Sequence, residues 1–269
     1  MISIICVFNN REILESCLLK SLSREKDEYD LVLVDNTEKA FSSAAAALNY
    51  GAEKAKGDYL AFVHQDVVFG AQFSLMHLQT QLDALPSGSI AGAAGRANED
   101  GVMTSITHGN PPVPAGSIFV ESPQICQTLD EVFVVVPRET FDKIRFDERI
   151  CTGWHLYAVD FCLSAGERGY KSFVLPMNLH HRSPGYSMDD TFYEILKKVV
   201  SKHKMSFKTI YSTNGVWPTP VFKLMWMHNT ETFRNYVRKF AMKTRVGRKV
   251  LGIRRGRFRK LRSESRDEK

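Results

Sequence analysis

The sequence contains no run of the roughly 18 to 20 consecutive apolar residues that a membrane-spanning helix requires. Its opening MISIICVFNN has no basic region ahead of the short apolar stretch. Neither an integral membrane protein nor an exported one is expected. Cysteine is scarce: Cys6, Cys17, Cys126, Cys151 and Cys162 are odd in number and form no Cys-x-x-Cys pair. Most of them stand in apolar runs, where a reduced thiol packs as a small hydrophobe, which argues against a disulfide framework and fits a reducing cytoplasm. Acidic residues are missing from Arg238 to Arg262, a block that holds twelve Lys or Arg. Taking those twelve from the formal charge of +6 leaves −6 for the remainder, so an acidic body carries a basic tail. Such a block reads as an interaction arm for an anionic surface. With an acidic body and no recognisable nucleic-acid module, a nucleic-acid partner is not expected.

What remains is ordinary globular material. With 269 residues, 43% hydrophobic and 25% charged, the chain can bury one α/β core and have a helical appendage left over. Ile2 to Phe8 is a β-rich apolar run, Glu12 to Ser21 has helical spacing through Ile13, Cys17 and Leu18, and Asp30 to Val34 is a second apolar run ending at Asp35. Phe41 to Lys56 is alanine-rich and helical, and Tyr59 to Val63 is a third strand running into His64-Gln65-Asp66. Ser89 to Ala94 and Glu131 to Pro137 are read as further strands, and Gly95 to Gly116 as a long loop.

Strands alternating with helices predict a mostly parallel, Rossmann-like sheet with helices on both faces and ligands beyond the carboxyl ends of the strands. Asn9-Asn10, Asp35-Asn36 and His64-Gln65-Asp66 each stand just past such an end. From Asp190 the pattern turns helical. Phe192, Ile195, Leu196, Val199 and Val200 form one apolar face, and Phe233, Tyr236, Val237 and Phe240 another. A boundary is placed near Asp189, giving a domain over 1–189 and a helical, basic extension over 190–269.

Four segments carry a family resemblance: Ile4-Ile5-Cys6-Val7-Phe8-Asn9-Asn10; Val34-Asp35-Asn36-Thr37; Asn49-Tyr50-Gly51 through Gly57-Asp58 to His64-Gln65-Asp66-Val67; and Asp130-Glu131 through Phe146-Asp147-Glu148, Trp154-His155 and Asp160 to His180-His181. In this order and spacing they resemble the inverting, family-2-like glycosyltransferases of the GT-A fold, in the branch with a streptomycin-biosynthesis-type domain. The resemblance implies a nucleotide-sugar donor (UDP-, dTDP- or GDP-linked), a glycan or lipid-linked acceptor and a divalent metal, Mn²⁺ or Mg²⁺.

The resemblance assigns roles residue by residue. The family's metal motif is Asp-x-Asp; here His64 stands in the first place, so Asp66 is the expected metal ligand, with His64 either a second ligand or a packed histidine. An imidazole ligand shifts preference from Mg²⁺ towards Mn²⁺. Phe8, Asn10 and Asp35 fall to the donor site, Asp35 holding the base edge or alternatively capping the next helix. Asn49 and Gly51 match the family's Asn-x-Gly, with plain helix packing as the other reading. His181 reaches the metal or diphosphate, with Arg182 a candidate phosphate contact. An inverting transferase needs a carboxylate to deprotonate the acceptor. Where the family offers two acids, this sequence has Ala158 and Asp160, so Asp160 is the expected base and His155 its substitute, while Asp160 as a helix anchor stays open. Trp154 is an acceptor platform or a core aromatic. Two functions remain: an active transferase, held peripherally on the cytoplasmic face of a membrane by its tail, or a donor-binding homologue impaired by the loss at Ala158.

Overall fold

Strand β1 (Ile2–Phe8) is apolar almost without a break, the pattern of a strand covered on both faces. In a computed structural model, which describes residues 1–183, 188 and 190–220, β1 lies beside β2 (Tyr29–Asp35) and β3 (Tyr59–Val63), both parallel to it. The chain then makes β4 (Val67–Phe69), β5 (Ile90–Gly92), β6 (Ala94–Arg96), β7 (Met103–Thr104), β8 (Ile106–His108), β9 (Val113–Pro114) and β10 (Ile118–Phe119). After these come β11 (Gln124–Cys126), β12 (Thr128–Leu129), β13 (Phe133–Pro137), β14 (Ser172–Val174) and β15 (Leu179–His181). The main sheet has seven strands in the order β11-β14-β5-β13-β3-β1-β2, with β11 and β13 running against the others. Two four-stranded sheets have the orders β10-β7-β6-β12 and β4-β15-β8-β9.

Helices cover both faces. On one face, α1 (Arg11–Leu14) continues through a π turn at Glu15–Leu19 into α2 (Lys20–Leu22). Leu14, Leu18 and Leu22 pack with Ile4 and Cys6 of β1 and with Leu75, Leu78 and Leu82 of α4 (Leu75–Asp83). On the other face, α3 (Ala44–Lys54) lies on β1 and β2. Beside it, Phe62 of β3 meets Phe141 of α5 (Arg138–Ile144), Phe146 and, through them, Phe161 of α6 (Tyr157–Gly166). Gly51 is required where α3 crosses the sheet, because a Cβ there would stand 2.7 Å from Ile5 Cγ2 and 3.1 Å from Val34 Cγ2.

The predicted strand over Ser89 to Ala94 is split into β5 and β6, and the predicted loop over Gly95 to Gly116 contains the short strands β7, β8 and β9. The two- and three-residue strands of this region carry too little periodicity to be read. The apolar face foreseen from Phe192 to Val200 is that of α7 (Asp190–His203), whose Phe192, Ile195, Leu196, Val199 and Val200 are all buried. A hairpin of β16 (Thr209–Ser212) and β17 (Gly215–Pro218) follows. Met1–Val221 forms one compact unit, and the sequence-derived boundary at 189 falls inside it. The second apolar face and the basic block lie outside the described residues. No helix among the described residues is long and apolar enough to cross a membrane.

Candidate functional site

β3 ends at Val63, and the chain turns through His64-Gln65-Asp66 into β4, the Val67 N–H donating to the His64 carbonyl. β15 pairs antiparallel with β4, with His181 opposite Val67. That pairing sets His181 Nε2 3.1 Å from Asp66 Oδ1 and brings the His64 and His181 rings to 5.7 Å. The Ser183 N–H donates to Asp66 Oδ2, and the Ser183 hydroxyl lies 3.1 Å from His181 Nε2. Burial would raise the Asp66 carboxyl, but the hydrogen bond and charge of His181 and the nearby His64 hold it well below the usual carboxylate range. Burial, with His181 adding to it, pushes His64 down, which keeps its ring neutral with a lone pair to offer.

His64, Asp66 and His181 present ligand atoms that all lie within 4.8 Å of one another. Two imidazoles and one carboxylate fit a single divalent ion, and the mixed nitrogen and oxygen set suits Mn²⁺ or a similar borderline metal better than Mg²⁺. A bound ion would supply positive charge against the oxygens of a diphosphate.

Two clefts meet at this cluster. A larger one of about 300 Å³ is walled by Asp130, Glu131, His155 and Phe192, and a smaller one of about 180 Å³ by Phe8, Asn9, Ala44 and Tyr157. His64, Asp66 and Trp154 line both. Trp154 is 43% exposed, so its indole face is open to a ring of substrate. His155 packs edge-on to Phe192 at 5.8 Å. Gln65 fixes the rim, accepting the N–H groups of Asn9 and Asn10 and donating to Asn9 Oδ1.

Leu156 is buried and adopts a left-handed conformation, φ 66° and ψ 7°, which a bulky residue takes only at a cost of about 1–2 kcal/mol. This kink starts α6 just beyond Trp154 and His155. Tyr157, at the first position of the helix, points its hydroxyl at His64 Nε2 (3.4 Å) and donates to the Glu131 carbonyl (3.2 Å).

The other predicted residues sit elsewhere. Asp160 lies on α6, is 1% exposed and lines neither cleft. Its oxygens take Lys202 Nζ at 2.7 Å and His203 Nε2 at 2.9 Å, both from α7, so it anchors that helix and does not face substrate. Burial alone would lower the Lys202 ammonium, but the charge and hydrogen bond of Asp160 hold it up. Asn49 is buried and clasps the 146–148 segment, donating to the Phe146 carbonyl and Glu148 Oε1 and accepting from the Phe146 N–H. Neither Asn49 nor Gly51 lines a cleft, so the Asn-x-Gly match is a packing element here. Asn10 caps α1 through its side chain, leaving only Phe8 of the opening motif's assigned pair on the smaller cleft. Asp35 stands at the end of β2, accepts the Thr37 N–H and hydroxyl and pairs with Arg11. The Thr37 bonds, with Arg11 a lesser cause, hold its carboxyl below the ordinary value, so it stays an acceptor at neutral pH. Arg182 is exposed, and its N–H donates to the Asp66 carbonyl. All five cysteines are buried and unpaired, as their packing role requires.

A model of a glycosyltransferase-like family matches residues 3–208. The chain belongs to that family. It therefore carries a glycosyltransferase family 2-like domain, and solved structures place the fold with GT-A glycosyltransferases. The crystal structure of GalNAc-T7 with UDP, GalNAc and Mn²⁺ matches 74% of this chain and 47% of that one, with TM-score 0.56 and 12% identity. Residues 1–349 of TarS from S. aureus match 75% of this chain and 64% of that one, with TM-score 0.51 and 14% identity. The mannosyltransferase PcManGT from Pyrobaculum calidifontis, in complex with GDP-Man and Mn²⁺, matches 77% of this chain and 65% of that one, with TM-score 0.51 and 13% identity. The chain thus spans less than two thirds of each of these structures. Among curated proteins, "ATP synthase subunits region ORF 6" of Fuscovulum blasticum is 24% identical over 199 residues, 71% of this chain and 78% of that protein.

Sequence reasoning assigned no role to Asp130, Glu131, Gln65 or Tyr157, which the fold brings to the clefts. The signal for the two acids was their place just before an apolar run, but the direction of that strand is invisible in sequence.

Proposed function

We propose that this chain transfers a sugar from a nucleoside-diphosphate donor to a glycan or lipid-linked acceptor with inversion, in synthesis of a bacterial surface polysaccharide or related glycan. The observation that carries the reading is the convergence of His64, Asp66 and His181 where two clefts meet. A nucleotide would enter the smaller cleft past Phe8, with the exposed carboxylate of Asp35 at the neighbouring strand end for its base. An acceptor would enter the larger cleft against Trp154. The metal is Mn²⁺ by the chemistry of its donors, and the motif order favours the streptomycin-biosynthesis-type branch. The impaired-homologue reading draws on the absence of an acid at position 158 and on the withdrawal of Asp160 from the clefts.

A thermal-shift panel of UDP-, dTDP-, GDP- and CMP-sugars with and without Mn²⁺ tests donor binding. One nucleotide class is expected to stabilise the protein only with metal present, by about 2.7 kcal/mol at ~100 times its dissociation constant. Indifference to every donor would remove the transferase reading.

The same reading places the protein on the cytoplasmic face of a membrane through the basic block Arg238–Arg262. Each Lys or Arg near an anionic surface contributes about 1 kcal/mol, and the interleaved Phe240, Val250, Leu251, Ile253 and Phe258 supply apolar contact. In liposome co-sedimentation the full chain is expected to pellet with anionic vesicles, to release as salt rises, and to lose binding on truncation after Tyr236. Equal pelleting of both forms, or a preference for neutral lipid, would sink the anchor.

A further inference from the structure

Glu131 lies in the turn between β12 and β13 and lines the larger cleft. Its Oε1 is buried with no hydrogen-bond partner, a condition shared among the described residues only by Oε1 of Gln81. An unpaired buried carboxylate oxygen is costly, and fold stability alone gives no reason to retain one. The other acids of the cleft are committed. Asp130 accepts from the Val132 N–H and the Thr213 hydroxyl, while Asp66 is held by His181 and Ser183. The N–H groups of Leu156 and Tyr157 face the Glu131 carboxylate, which seats it against the first turn of α6. Ala158, in the position where an acid was expected, stands in that same turn.

We propose that Glu131 is the general base of the transfer, supplying from the β12–β13 turn the carboxylate that α6 lacks at position 158. The inference rests on the transferase reading. In the step, the acceptor hydroxyl gives its proton to the Glu131 carboxylate as its oxygen bonds to the anomeric carbon. The bond from that carbon to the diphosphate oxygen breaks, and its electron pair departs with the nucleoside diphosphate. Burial, together with the charge of Asp130, pushes the Glu131 carboxyl up to about 8, so its ionised form is a stronger proton acceptor than an ordinary carboxylate and becomes populated as pH rises towards that value.

The test uses the full chain with UDP-glucose, UDP-N-acetylglucosamine, dTDP-glucose and GDP-mannose in Mn²⁺. Donor binding is followed by thermal shift, and release of nucleoside diphosphate is followed with water as acceptor. Glu131→Gln keeps the shape of the side chain, so donor binding is expected within about twofold of wild type. Release is expected to fall by about 10²- to 10⁴-fold, with Glu131→Asp recovering part of the rate. Unchanged release by Glu131→Gln would overturn the base assignment while leaving the transferase reading in place. Loss of donor binding by that variant would overturn it too, moving Glu131 to the donor site. Wild-type protein that binds a donor without releasing the diphosphate would overturn the assignment in favour of the impaired homologue, and wild-type protein that binds no donor would remove both.

Discussion

Asp66→Ala is expected to abolish Mn²⁺-dependent donor binding and to lower turnover by several kcal/mol of lost charge stabilisation, on the order of 10²- to 10⁴-fold. The carboxylate is the one acidic member of the His64, Asp66 and His181 cluster, so only two imidazoles would be left to hold a dication. The fold should survive. Asp66 sits in a turn at a strand end, and its side-chain bonds go to His181 and Ser183 at the same rim. Circular dichroism and melting in the absence of ligand check the fold, and donor titrations with Mn²⁺ or EDTA check the metal. Wild-type donor binding and turnover by the variant in EDTA would remove the metal from the mechanism.

Asp160→Ala is expected to behave in the opposite way, with a large loss of stability and no specific loss of chemistry per folded molecule. The substitution removes the buried carboxylate that joins Lys202 to the fully buried His203, leaving Lys202 only Asp147 and His203 only Glu167, both partly exposed. Breaking a buried pair from one side typically costs about 3–5 kcal/mol, or roughly 6–20 °C in a domain of this size. The same network sets the pH range. The carboxyl of Asp147 would be raised by burial, but its bond from Lys202 holds it low. Glu167 is likewise held low by His203 against its burial. Their contribution is therefore present above the ordinary values of 3.8 and 4.5 and is lost as pH falls through the depressed ones. Lys202 has the opposite sign, contributing below its ordinary 10.5 and losing that only as pH rises beyond it. Acid melting of wild type should thus steepen below about pH 4.5, and Asp160→Ala should melt low throughout. A variant that melts like wild type but turns over 10²-fold more slowly would restore Asp160 as the base.

The first half of the fold was legible because β1, β2 and β3 are long, apolar on both faces and separated by ordinary helix and turn signals. His64 and Asp66 were legible for the same reason, since a parallel strand announces its ligand end. His181 was found through resemblance, and its partner Asp66 is reached only through the β4–β15 ladder, which three-residue strands do not advertise. Glu131 lies in the fourth of the motif segments, where nothing in the sequence points it at a ligand. β13 runs antiparallel to β3, so its beginning, and not its end, meets the ligand edge. For Asp160 the sequence leaves base and helix anchor both open, because spacing along α6 says nothing about which neighbour covers it. The Lys202 and His203 that claim it come from a helix four tens of residues later in the chain.

Helix α7 borders the larger cleft at one end and is fastened at the other. Phe192, near its start, forms part of the cleft wall, while Lys202 and His203 are tied to Asp160 and Glu167. Between these points lie about three turns, roughly 15 Å of stiff rod. Gly153 leaves that rod close to the backbone, since a Cβ there would stand 3.0 Å from Ile195 Cδ1 and 3.1 Å from Thr191 Cγ2. The larger cleft therefore has one wall set by a single stiff helix whose far end is held by salt bridges, so moving Phe192 to widen the cleft means displacing the whole rod.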